Sequence, residues 1–168
     1  MKTLKIGDLL AKVPIVQGGM GVGISLSGLA SAVANAGGVG VISTAGLGVI
    51  YNEISKNFNE ASIYGLREEL RKAREATKGI VGVNIMVALT TFTALVKTSV
   101  AAGADVIFSG AGLPMDLPKL FQETCEEKKQ EFDQLVHCDI LLIDDLGTEH
   151  PLLSKINFIP TGGAVEMT

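Results

Sequence analysis

The chain contains no Gly-Lys pair, so the GxxxxGK[ST] loop that wraps nucleotide phosphates is absent. Its glycine clusters, GGMGVG at 18–23 and GGVG at 37–40, also miss the GxGxxG spacing of a dinucleotide-binding turn. Cysteine is scarce: Cys125 and Cys138 are too few for a disulfide framework and lack CxxC spacing. Together with His137 and His150 they match no usual zinc set, and His137 and Cys138, neighbours at a strand start, point to opposite faces, so no metal is expected. Positive charge is outweighed, with 14 Lys and Arg against 18 Asp and Glu, a net charge of -4 and a pI near 5.2. That balance argues against a nucleic-acid surface, which needs clustered cations for the phosphates. The densest basic stretch, REELRKAREATK at 67–78, alternates in sign and reads as a solvated helix face. No long apolar run precedes Pro14 and none is long enough to span a bilayer, so a cytoplasmic protein without a membrane partner is expected.

What is present is a core. At 168 residues, 47% of them hydrophobic, the chain suits one domain. Short runs rich in Val and Ile alternate with longer helical patterns, the signature of parallel strands joined by crossover helices. Strands are expected near 14–18, 39–43, 80–85, 105–109, 139–143 and 156–160, and helices near 26–35, 61–77, 92–102 and 118–136. Ser25 can cap the first helix, Gly37-Gly38 can end it, Thr90 or Thr91 can cap the third, Gly103 can stop it, and Pro118 suits a first helical turn. The fold class is α/β, built of parallel βα repeats with about six strands.

Parallel sheets of this kind put their chemistry at the carboxyl ends of the strands. Those ends carry Gln17-Gly18-Gly19-Met20, Ser43-Thr44-Ala45-Gly46, Asn84-Ile85-Met86, Ser109-Gly110-Ala111-Gly112, Asp144-Asp145 and Thr161-Gly162-Gly163. Four of the six hold glycine, which admits close approach of a ligand to main-chain amides. The loops therefore look suited to something flat or anionic.

Three segments, PIVQGGMGVGISLSGLASAVANAGGVGVISTAGLG at 14–48, GVNIMV at 82–87 and DVIFSGAGLP at 105–114, carry a resemblance. From residue 1 to about 120 the chain resembles the nitronate monooxygenase family, formerly the 2-nitropropane dioxygenases, and its relative the flavin-dependent enoyl-acyl carrier protein reductase. The resemblance implies a TIM-type barrel holding FMN, with Gln17, Gly18, Gly19 and Met20 against the flavin ring and Asn84 reaching it from the third strand. A carboxamide offers both donor and acceptor, and a thioether gives a polarizable surface, so these residue types suit a flavin. The implied substrate is a small nitronate or enoyl thioester.

The family's catalytic histidine stands in a Gly-Gly-His context, and His137 and His150 do not, so the catalytic residue is unknown and weak turnover is expected. Residues 121–149 instead resemble the Walker B segment of helicase loaders, which are AAA+ ATPases, where Asp144 would hold magnesium; without a phosphate loop, a strand and turn is the plainer reading. Residues 156–163 are similar to a phosphate-side strand end of aldolase barrels, which makes Gly162 and Gly163 candidates for the FMN phosphate. The chain is thus expected to be one domain, 1–168, with a flavin-barrel-like part at 1–120 and a divergent part at 121–168 that completes the sheet. An alternative is a partial-barrel scaffold without catalysis. Six strands fall short of a closed eight-stranded barrel, so a homo-oligomer is expected in which copies cover exposed strand edges.

Overall fold

The computed structural model describes residues 3–112 and 119 in full, with the backbone of 139–142 and 166–167. The chain opens with a hairpin, β1 (Leu4–Ile6) and β2 (Leu9–Ala11), turned at Gly7, whose φ is +54°. Parallel βα units follow: α1 (Ser27–Asn35), β3 (Val39–Ser43), α2 (Leu47–Ile50), α3 (Phe58–Ala76), β4 (Ile80–Met86), α4 (Phe92–Ala101), β5 (Val106–Gly110) and β6 (Asp139–Leu142). The four strands β3-β4-β5-β6 pair in that order, all parallel. A short β7 (Glu166–Met167) lies antiparallel to β1.

Strand side chains alternate between the two faces of the sheet. Ile42, Val81, Val83, Ile85 and Ile107 face the helices and pack with Ala30 and Ala34 of α1, Leu66 and Leu70 of α3 and Leu95 and Val96 of α4. Val39, Val41, Val106 and Phe108 face the other way and are covered by Ile6 and Ala11 of the hairpin. Burial on both faces explains why these strands read as continuous apolar runs rather than as alternating ones. Contact between α1 and the sheet depends on Gly40: a Cβ there would stand 1.9 Å from the Ala30 carbonyl oxygen.

The parallel order and the positions of β3 to β6 follow the sequence-based expectation. The segment 14–18 needs correction, because it forms a single parallel bridge, Val16 to Val39, and not a full strand. Its ladder starts normally, with Val39 N–H donating to Ile15 C=O (2.9 Å) and Gln17 N–H to Val39 C=O (3.0 Å), before the chain turns away at Gly18. The helix expected over 61–77 is α3 and begins at Phe58, since the Asn57 side chain caps it by accepting from the amides of Asn59 and Glu60. That pattern, Asn57 followed three residues later by Glu60, is a helix-start signal present in the sequence. The hairpin and α2 were not expected at all. The expected strand at 156–160 and helix at 118–136 lie outside the described residues, apart from Lys119, which is helical.

Candidate functional site

The hairpin packs on the sheet face formed by Val39, Val41, Val106 and Phe108, and the candidate residues lie at the carboxyl ends of the strands. There the register sets Ser43 beside Asn84 and Met86 beside Gly110. Thr44 fastens the end of β3 to β4, its N–H (3.1 Å) and hydroxyl (3.0 Å) both donating to the Asn84 carbonyl. Val87 N–H donates to Gly110 C=O (2.8 Å), which joins the ends of β4 and β5.

Over this rim lies the turn 17–25, and its anchors are specific. The Gln17 carboxamide docks on β3, with Nε2 donating to Val41 C=O (3.0 Å) and Oε1 accepting from Val41 N–H (3.3 Å). Ser25 is fully buried and its hydroxyl accepts from Gln17 Nε2 and Met20 N–H while donating to Gly18 C=O, all at 3.0 Å. Its expected role as a cap of α1 is therefore corrected: Leu26 occupies the cap position without a side-chain bond, and the Ser25 hydroxyl is spent on the turn. The far side of the turn meets the loop after β3, where Val22 N–H donates to Ala45 C=O (2.9 Å). Val22 is held there at φ +49°, a conformation costly for a β-branched residue. Nothing in the sequence marks that strain.

Gly19 and Asn84 are brought together. A Cβ on Gly19 would fall 2.4 Å from Asn84 Cβ and 2.9 Å from Asn84 Oδ1, so glycine is required for this approach. A Cβ on Gly18 would meet nothing within 4 Å, and neither the Gly18 nor the Gly19 N–H donates to an acceptor among the described residues. Met20 is half exposed on the same rim. After β5 the chain turns through Ala111 (φ +55°) and Gly112 (φ +143°). Gly162 and Gly163 lie outside the described residues, as do Asp144, Asp145, His137, His150 and both cysteines. Among the described residues no group of three His, Cys, Asp or Glu side chains could hold a metal ion, and no helix is long and apolar enough to cross a membrane.

The expected solvated face of α3 also needs a correction, at Glu69. This carboxylate is buried, accepts from the Ser27 N–H at the start of α1 (2.8 Å), and is bonded by the Tyr51 hydroxyl and Lys72 Nζ (3.1 Å). Burial pushes its carboxyl up, but the hydrogen bonds from Ser27, Tyr51 and Lys72 outweigh burial and hold it at about 2. Burial, with the neighbouring Glu69, raises the Tyr51 hydroxyl, and the bonds to Tyr51 and Glu69 raise Lys72. Arg71, between Glu68 and Glu75, does lie on the outside, whereas Arg74 is half-buried against the Gly79 and Gly103 carbonyls and Asp105.

Parallel βα units with the hairpin packed against one sheet face define a barrel-type α/β protein, a class in which sites are expected at the carboxyl ends of the strands. The nitronate monooxygenase profile matches residues 2–105. The chain belongs to the nitronate monooxygenase family, whose members are flavin-dependent oxidoreductases. Among solved structures it is similar to FabK from Thermotoga maritima, at 26% identity and a TM-score of 0.54 over 79% of this chain and 34% of that one. A point mutant of the same FabK aligns at 29% identity and a TM-score of 0.52, covering 68% of this chain and 33% of the other. The chain thus spans about a third of the length of these structures, and its fold fits an incomplete TIM-type barrel. Comparison with curated proteins gives no match.

Proposed function

We propose that this chain carries the flavin-facing part of an FMN-dependent oxidoreductase of nitronate monooxygenase type, with a nitronate or enoyl thioester as substrate. The observation that carries the proposal is the Gly19–Asn84 approach, since a ring laid on the rim could contact the 18–20 turn and the Asn84 side chain at once. The residues present suit the isoalloxazine edge. Among the described residues the Gly18 and Gly19 amides donate to no acceptor and Gly18 meets no close neighbour, so this turn could offer donors and room to the ring, with Met20 as a polarizable contact.

The Gln17 side chain serves the turn, because both ends of its carboxamide are engaged by Val41 and Ser25. When bound, the flavin supplies the electron-accepting chemistry of the reaction. This chain's own contribution is to hold and orient that group. For the phosphate, the candidates are the backbone amides around Ser109 to Gly112 and, beyond the described residues, Gly162 and Gly163. Residues 121–168 are assigned the task of extending the sheet, in keeping with the parallel pairing of β6 on β5. Neither histidine has a Gly-Gly-His setting, so we assign no base and expect weak turnover from the chain alone.

Titration of the purified chain with FMN tests the proposal. Quenching of flavin fluorescence with a dissociation constant in the micromolar range is expected. Flavin that stays unquenched at high micromolar protein would overturn it.

A further inference from the structure

We infer that Ser25 is the positioning residue of the flavin turn, the point through which the sheet fixes the shape of residues 17–20. The inference rests on the proposed FMN site but is carried by a separate observation. Ser25 is bonded to the sheet by its backbone and to the turn by its side chain. Its carbonyl accepts from Ser43 N–H on β3 (2.9 Å), so the residue is registered to the strand whose end forms the rim. Its hydroxyl then makes three bonds into the turn, to Gln17 Nε2, Met20 N–H and Gly18 C=O. Ser25 N–H donates in turn to Met20 C=O (3.0 Å), closing a reciprocal pair across the turn.

The geometry gives the hydroxyl a role that no apolar side chain can replace. It is the acceptor for Met20 N–H and the donor to Gly18 C=O, so it sets the direction of both peptide units that flank Gly19. The first of those units carries the Gly19 N–H, so the hydroxyl decides where that amide points. Without the hydroxyl, the exposed part of the turn can exchange its bonds for water, and the conformation competent to bind becomes a fraction of the population. The apparent affinity falls by that fraction. Loss of three bonds, each worth about a factor of two to ten, sets the expected weakening at roughly tenfold or more.

The test uses the full chain with Ser25→Ala, and Ser99→Ala as the control. Ser99 is equally buried, but its hydroxyl bonds to Leu95 C=O within α4, away from the turn. FMN affinity is read by fluorescence quenching and the Met20 amide by hydrogen exchange, with the β3 amides as internal reference. Ser25→Ala is expected to bind FMN roughly tenfold or more weakly and to speed Met20 exchange about as much, with β3 protection retained, while Ser99→Ala changes neither. FMN affinity within twofold of the parent, or unchanged Met20 exchange, would overturn the inference. Collapse of β3 protection in Ser25→Ala would also overturn it, by making Ser25 a residue of folding and not of positioning. If the parent chain binds no FMN, the proposed cofactor fails on its own, and Met20 exchange still decides whether Ser25 shapes the turn.

Discussion

The Glu69 carboxylate accepts a hydrogen bond from the backbone N–H of Ser27, so a side chain from α3 caps the start of α1 across forty-two residues of sequence. A buried anion at a helix amino terminus is favoured by the helix dipole as well as by the bond itself. Tyr51 and Lys72 complete its shell.

This cap gives a pH-dependent stability with a defined sign. A carboxyl held at about 2, below the 4.5 of an unperturbed one, stabilises the fold at neutral pH, and that contribution is lost as pH falls from about 4.5 toward about 2. The full effect is about 3 kcal/mol. Glu69→Gln should therefore lower the urea midpoint strongly at pH 7 and far less near pH 2, where the parent is itself half protonated. An equal deficit at both pH values would show that the charge contributes nothing.

At the rim, Gly18 and Gly19 should respond differently to alanine. The Gly19→Ala methyl would overlap Asn84, while the Gly18→Ala methyl has open space. Gly19→Ala should cost about 1–3 kcal/mol and abolish flavin quenching, whereas Gly18→Ala should melt within a degree or two of the parent. Equal melting temperatures for the two variants would contradict the close approach.

Gly40→Ala should be the more severe glycine substitution. Its methyl would meet the Ala30 carbonyl oxygen of α1, which cannot rotate away as a side chain can. We expect a loss of roughly 3 kcal/mol or more, seen as little soluble protein or a much reduced melting temperature. Parent-like stability would mean that α1 is free to lift off β3.

Four parallel strands are described where a closed barrel has about eight, and pairing between copies on the β6 side of the sheet is the expected remedy for an incomplete barrel. Size-exclusion chromatography with light scattering should give at least a dimer. A clean monomer across a wide concentration range would count against this prediction.

Much of this architecture was legible in the sequence because buried parallel strands announce themselves. VGVIS, IVGVNIM and VIFSG are apolar runs each preceded by glycine or aspartate, and each became a strand within a residue or two of its expected limits. The segment PIVQG carries a similar signal but pairs only once, because the tight turn behind Gln17 pulls the chain off the ladder. The hairpin at Leu4–Ile6 and Leu9–Ala11 is too short for periodicity to reveal. The proposed site residues are those where glycine clusters and carboxamides coincide at strand ends. Ser25 and Glu69 were misassigned for one reason: their partners are distant in sequence or lie within an irregular turn, and no local pattern encodes such contacts.

The Gln17 carboxamide on Val41 also bears on how the free edge of β3 avoids other chains. An unpaired strand edge is a template for aggregation, and natural sheets cover or interrupt it. Along this edge the N–H of Val39 is taken by the Ile15 carbonyl, that of Val41 by Gln17 Oε1 and that of Ser43 by the Ser25 carbonyl. A side chain thus stands in for one peptide unit of a missing strand. Because only a carboxamide presents a donor and an acceptor in that arrangement, the edge stays sealed while the main chain is released to form the turn above it. Solubility and the shape of the rim therefore depend on the same residue.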